Sequence, residues 1–246
     1  MKITQRPSLA LDNRRRAKPN AVRSKAPSRA LKQSLRADVK SRKQTPAPPI
    51  SASKSEKSRD AILEAAAKLF GRQGFSATTL RQIASVAKIK AGSIYYYFDS
   101  KEAILDEVLD RGLRHVFESV KTAVKQAGTA SHRRRIGLAI EAHLVALLET
   151  SDFTSANIRI YGQLPEHLKK PHRPLRRAYA KYWDRLFLDA RRAGELRADI
   201  EIVPLRMFVI GALNWTIEWF RLGSQDAVIK LARRTELLIF EGVRKA

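Results

Sequence analysis

Cysteine is absent from all 246 residues, which excludes disulfides, thiolate nucleophiles and thiolate-bound metal. There is no long uncharged apolar run, so nothing suggests a membrane span. Acidic residues are scarce: 24 Asp and Glu stand against 48 Lys and Arg, a net charge of +24. An excess of that size points to a polyanion, nucleic acid first and an anionic membrane surface second. A Gly-rich phosphate loop and a nucleophile motif are also missing. His115, His132, His143, His167 and His172 form no HExxH pair or other ligand spacing. Glu141, Glu149 and Glu166 stand as isolated carboxylates. No catalytic residue, metal or cofactor is expected, and the chain reads as a cytoplasmic binding protein.

What is present divides by composition. Residues 1–56 hold fifteen Lys or Arg against Asp12, Asp38 and Glu56, with no aromatic residue. Ser, Ala and Pro fill most of the remainder, and the segment reads as a disordered basic tail. Its Arg- and Ser-rich, acid-poor character is also that of a transit peptide, although the amphipathic pattern is weak. A solvated tail without a role is one reading, and non-specific attraction to phosphate is the other.

The stretch Thr78–Phe98 is the organising one. Thr79 can cap a short helix, with Gln82 three residues on completing a capping box. Leu80, Ile83 and Ala84 then share one face, as a side turned to a core requires. Ile89 plugs the turn, and a second helix sets Ile94 and Phe98 four apart on its inner side. Its outer side offers Lys90, Ala91, Gly92, Ser93, Tyr95 and Tyr96. Small residues at its start let the backbone approach a partner closely, which is the plan of a helix-turn-helix reading head.

The run from Arg59 to Gly112 resembles the DNA-binding domain of TetR-family transcriptional regulators. The resemblance rests on Ile62-Leu63-Glu64-Ala65-Ala66-Ala67-Lys68-Leu69-Phe70, Gly74-Phe75, Thr78-Thr79-Leu80-Arg81-Gln82-Ile83-Ala84, Gly92-Ser93-Ile94-Tyr95-Tyr96-Tyr97-Phe98 and Ser100-Lys101-Glu102. It implies that Lys101 approaches the phosphate backbone. The residues assigned to DNA are therefore Thr79, Arg81, Lys90, Ala91, Gly92, Ser93, Tyr95, Tyr96 and Lys101. Lys57 and Arg59, at the start of a first helix over 58–73, are also placed to welcome a phosphate.

Beyond a helix capped by Ser100 and running to about Gln126, the pattern stays helical. Apolar periodicity predicts helices over 134–150, 153–163, 175–193, 204–223 and 226–242. Pro165, Pro171 and Pro174 break the chain between the second and third of these. Leu205, Phe208, Val209, Ala212, Trp215, Ile217, Trp219 and Phe220 cover most of the fourth, and the fifth adds Leu237, Leu238, Ile239 and Phe240. Helices apolar almost all round are buried on several sides. The resemblance implies that these two pack in a dimeric four-helix bundle; an internal core is the other explanation.

The expected fold is all-α. A disordered basic tail (1–56) precedes a three-helix helix-turn-helix DNA-binding domain (57–112) and a larger helical ligand-binding and dimerisation domain (113–246). The resemblance implies a homodimer on a palindromic double-stranded DNA operator, released when a small-molecule effector binds. Candidate wall residues for that effector are Asn157, Tyr161, Tyr182, Trp183, Asn214 and Trp215, each of which is also an ordinary core or interface residue. The run Gly211–Trp215 with Trp219 and Gly223, the expected stop of that helix, is similar to TetR regulators of fatty-acid and sterol breakdown that sense acyl-CoA thioesters. The clusters Lys169-Lys170, Arg173, Arg176-Arg177 and Arg191-Arg192 suit a CoA phosphate, or a solvated helix face. The competing reading is a sequence-independent nucleic-acid-packaging protein driven by the tail.

Overall fold

The computed structural model describes residues 52–148, 152–221 and 225–242, all helix or connection with no strand among them. The basic tail up to residue 51, Glu149 and the expected helix stop at Gly223 lie outside the described residues. Helix α1 spans Ala52–Gln73, α2 Leu80–Val86 and α3 Lys101–Gln126. Then come α4 (His132–Leu148), α5 (Asp152–Tyr161), the single turn α6 (Glu166–Lys169), α7 (Arg173–Arg192), α8 (Ile202–Trp219) and α9 (Gln225–Phe240). A 3₁₀ helix, Ala91–Tyr96, stands between α2 and α3.

The local signals explain most boundaries. Gly74, at φ +83°, ends α1 in a left-handed conformation that a side chain would strain. The Thr79 hydroxyl accepts from the Gln82 amide at 3.2 Å, and the Gln82 side chain accepts from the Thr79 amide at 2.8 Å. Ser100 caps α3 through the Ala103 amide at 3.0 Å. One boundary is corrected: α1 begins at Ala52, not Ser58. Ala52–Lys57 contains neither Gly nor Pro, so the helix continues upstream into residues that charge alone assigns to the tail.

A second correction concerns the reading element. Residues 91–96 form a 3₁₀ helix and not an α-helix. Lys90 provides no side-chain cap, Gly92 weakens the start, and three tyrosines follow in a row. The Ser93 amide donates to the Lys90 carbonyl at 2.8 Å, and the Phe98 amide to Ile94 at 3.0 Å. This winding still returns both Ile94 and Phe98 to the core.

Two apolar clusters share α3. Ile104, Leu105, Val108 and Leu109 pack with Ile62, Phe70, Ile83 and Ile94. Leu113, Val116, Val120 and Val124 pack with helices α4, α7, α8 and α9 around Trp183 and Phe187. The change falls at Gly112. Helix α5 crosses there so closely that a β-carbon on Gly112 would sit 2.4 Å from the Phe153 carbonyl oxygen. Gly112→Ala is therefore expected to cost roughly 1–3 kcal/mol of stability by forcing the helices apart. Urea denaturation checks this, and an unchanged midpoint would contradict the contact.

Candidate nucleic-acid interface and internal cavity

The reading head is small and firmly seated. Ile83 and Ala84 of α2 and Ile94 of the 3₁₀ helix are buried, which fixes both elements on α1 and α3. Lys88 makes the turn between them at φ +56°. Around these anchors Thr79, Arg81, Lys90, Ala91 and Gly92 are exposed and Ser93 is half-buried. Tyr95 and Tyr96 are 63% and 76% exposed, large aromatic surfaces left open by the described residues. Phenols and an ammonium presented this way can meet base edges and phosphates.

Lys101 is turned inward. Its ammonium donates to the Phe75 carbonyl at 2.9 Å and the Thr78 carbonyl at 2.8 Å, and it lies 4.3 Å from the centre of the Phe75 ring. Two of its three donors thus tie α3 to the loop that leads into α2. Arg59 is also committed, forked onto Glu107 with its guanidinium 4.8 Å from the centre of the Phe98 ring. Arg111 joins Glu107 to Asp60. These cations brace the reading head, while Lys57 stays exposed.

Behind Gly112 lies a cavity of about 430 Å³, walled by α3, α4, α5, α7 and α8. Burial depresses the His143 pKa to about 4, with the Asn214 hydrogen bond opposing. The ring is therefore neutral at ordinary pH. Its Nε2 lies 3.2 Å from Asn214 Oδ1 and its Nδ1 lies 2.7 Å from the Tyr179 hydroxyl. A proton on Nε2 satisfies both contacts, since Nδ1 then accepts from the phenol. Burial also pushes the Tyr179 phenol up, keeping it a donor.

Asn157 donates to the Leu109 carbonyl of α3 at 2.6 Å, and its own oxygen accepts from Arg176. The Arg176 guanidinium lies 3.3 Å from the centre of the Tyr161 ring, and burial lowers its pKa to about 10. It remains a cation. Arg173 is ion-paired with Glu166, and Arg206 with Asp184 at 2.6 Å.

Of the six candidate wall residues, the structure brings Asn157 and Asn214 together on this cavity. Tyr161 stands behind the wall, against Arg176. Tyr182 packs on Phe117 at 5.6 Å, and Trp183 is fully buried in the second core. Trp215 is 65% exposed on α8 and does not line this cavity. Thr154 carries no signal in the sequence, Tyr179 reads there only as part of the apolar side of its helix, and His143 only as a histidine without a ligand spacing. The signal for His143 was available: it interrupts the apolar stripe Ile136, Ile140, Leu144, Leu147, where a polar group needs a partner. Among the described residues no group of His, Asp or Glu is placed to hold a metal ion, and no helix is long and apolar enough to cross a membrane.

Comparison with known proteins follows the same division. The profile of the N-terminal domain of tetR-family bacterial regulatory proteins matches residues 62–108, and that of a tetracyclin repressor-like C-terminal domain matches 129–243. The HTH-type transcriptional repressor KstR2 of Rhodococcus jostii (strain RHA1) is 29% identical over 208 residues, which cover 81% of this chain and 97% of the relative. The TetR-family regulator PfmR of Thermus thermophilus superposes with a TM-score of 0.67 at 26% identity, over 76% of this chain and 98% of that one. AibR, solved with isovaleryl coenzyme A and operator DNA, shares the fold, with a TM-score of 0.66 at 18% identity over 74% of this chain and 98% of that one. With its two domain profiles matched in order over the reading head and the helical remainder, the chain belongs to the TetR family of bacterial regulatory proteins.

Proposed function

We propose that this protein is a ligand-released transcriptional repressor, acting as a homodimer on a palindromic operator and sensing an acyl-CoA-type metabolite. One observation carries the reading: α5 serves both parts. Ala156 and Ile160 pack in the core of the reading head, while Thr154, Asn157 and Ile158 line the cavity. An effector that fills the cavity therefore pushes on the helix that seats α1 and α3. In a dimer that displacement changes the distance between two reading heads, which must sit about one DNA turn apart, roughly 34–36 Å or a multiple. The effector then draws the population away from the DNA-bound form in proportion to its preference for the other spacing. A sequence-independent packaging protein has no use for such a coupling.

The cavity suits an acyl group, being within the usual size for small-molecule sites. A whole CoA thioester is larger than this, so part of its nucleotide extends past the mouth, where Arg173 and Arg177 are exposed. Fluorescence anisotropy on labelled operator, titrated with a panel of acyl-CoA esters, tests the effector. Release by at least one ester is expected, and no release by any of them sinks that assignment. The same assay tests the reading head. Lys90→Ala or Tyr95→Ala should erode the preference for operator over scrambled duplex by about 1–3 kcal/mol, the worth of a base-edge contact. Equal losses on both duplexes would reassign those residues to phosphate.

A further inference from the structure

Four arginines border the cavity, and three have an ordinary explanation. Arg173 and Arg206 are paired with carboxylates, and Arg177 is exposed. Arg176 differs. Among the described residues no carboxylate lies within ion-pair distance of it, and its protein partners are a neutral amide and the face of a phenol ring. Its Nε is buried without a hydrogen-bond partner. On the same cavity the Thr154 hydroxyl, in a residue only 2% exposed, also lacks a partner.

A buried cation and an idle buried hydroxyl each carry a desolvation cost that an accepting group would relieve. A planar guanidinium with a free edge is the best protein partner for an oxyanion. We propose that Arg176 and Thr154 form an oxyanion subsite inside the cavity, occupied by a carboxylate or phosphate group of the effector. The proposal rests on the effector reading above and adds where the ligand's charge sits. The subsite also has a route to the reading head. An oxyanion competes with Asn157 Oδ1 for Arg176, and Asn157 in turn holds the Leu109 carbonyl of α3. Binding thereby loosens the tie between α7 and α5 beside the point where α5 crosses α3.

The test uses the full chain and three probes by isothermal titration: octanoate, its neutral counterpart octanol, and inorganic pyrophosphate. Octanoate is expected to bind at least about tenfold tighter than octanol, the scale of a hydrogen bond to a charged group. Arg176→Gln and Thr154→Val should each reduce that preference, and Arg185→Gln, at an exposed position of α7 away from the cavity, should keep it. Thr154→Val removes a hydroxyl that has no partner in the free protein, so its ligand-free melting temperature should hold or rise. Lost oxyanion binding in that variant is then not unfolding. Arg176-dependent pyrophosphate binding tighter than octanoate would place a phosphate in the subsite; the reverse order would place a carboxylate there. Equal binding of octanoate and octanol with no Arg176-dependent pyrophosphate binding, or a preference that survives Arg176→Gln, overturns the proposal. Failure of every acyl-CoA ester to release DNA would remove the effector assignment and leave this result standing.

Discussion

Replacing Leu238 with glutamate is expected to leave monomers and to weaken operator binding at least about a hundredfold, because one reading head must then hold its half-site unaided. The argument starts from α8. Val203, Met207, Phe208, Gly211, Ala212, Trp215 and Trp219 recur at spacings that place them on one side of the helix. Phe208 is 79% exposed and Trp219 is 52% exposed, while Val209, Leu213 and Thr216 on the other side are buried. Helix α9 adds exposed Leu237 and Leu238. Apolar surface of this extent marks a partner surface, and a two-fold partner is the commonest kind. Symmetry brings two glutamates into the interface, where each loses water and repels the other, which costs several kcal/mol. Leu238 is exposed in the single chain, so the substitution spares both cores. Sedimentation equilibrium at micromolar concentration reads the outcome. A variant that stays dimeric would take Leu238 out of the interface, and a monomeric wild type would contradict the dimer.

The second large effect is on stability at acid pH. The His143 pKa falls from 6.5 in the unfolded chain to about 4 in the fold. Between those values the unfolded chain takes up a proton that the native protein refuses. This contribution is complete above about pH 6.5, is lost as pH falls, and stops changing below about pH 4. Its full size is on the order of 3 kcal/mol at about 1.4 kcal/mol per pH unit. The groups facing the ring, Tyr179 and Asn214, stay neutral throughout this window. His143→Gln should therefore flatten the stability profile by close to one proton between pH 4 and pH 6.5. Denaturant midpoints at several pH values decide it, and parallel profiles for the two proteins would show that His143 is not the titrating group.

How much of this was legible depended on range. The Thr79 and Gln82 capping box, the Ser100 cap and the four-residue step from Ile94 to Phe98 are local, and each was readable from neighbouring residues. The wide apolar circumference of α8 was equally plain. Lys101 was not readable in this way. Its destination is a pair of carbonyls more than twenty positions earlier, fixed only when α3 packs beside the Phe75–Thr78 loop. The adjacent arginines 176 and 177 look alike in sequence, yet one is stacked inside on Tyr161 and the other exposed, because helical rotation separates them by about 100°. The cavity itself needs five helices from residues more than a hundred positions apart. Gly112 was the missed clue. A lone glycine in a long helix signals a close crossing, and here α5 makes it.

The central claim is sequence-specific reading by a two-fold dimer, and selection of bound duplexes from a random library tests it most directly. The selected sequences should converge on an inverted repeat with half-site centres about one helical turn, or a whole multiple, apart. A Leu238→Glu pool run in parallel should lose the two-fold repeat. Recovery of duplexes without a common motif, bound only by charge and released by salt, would contradict the account.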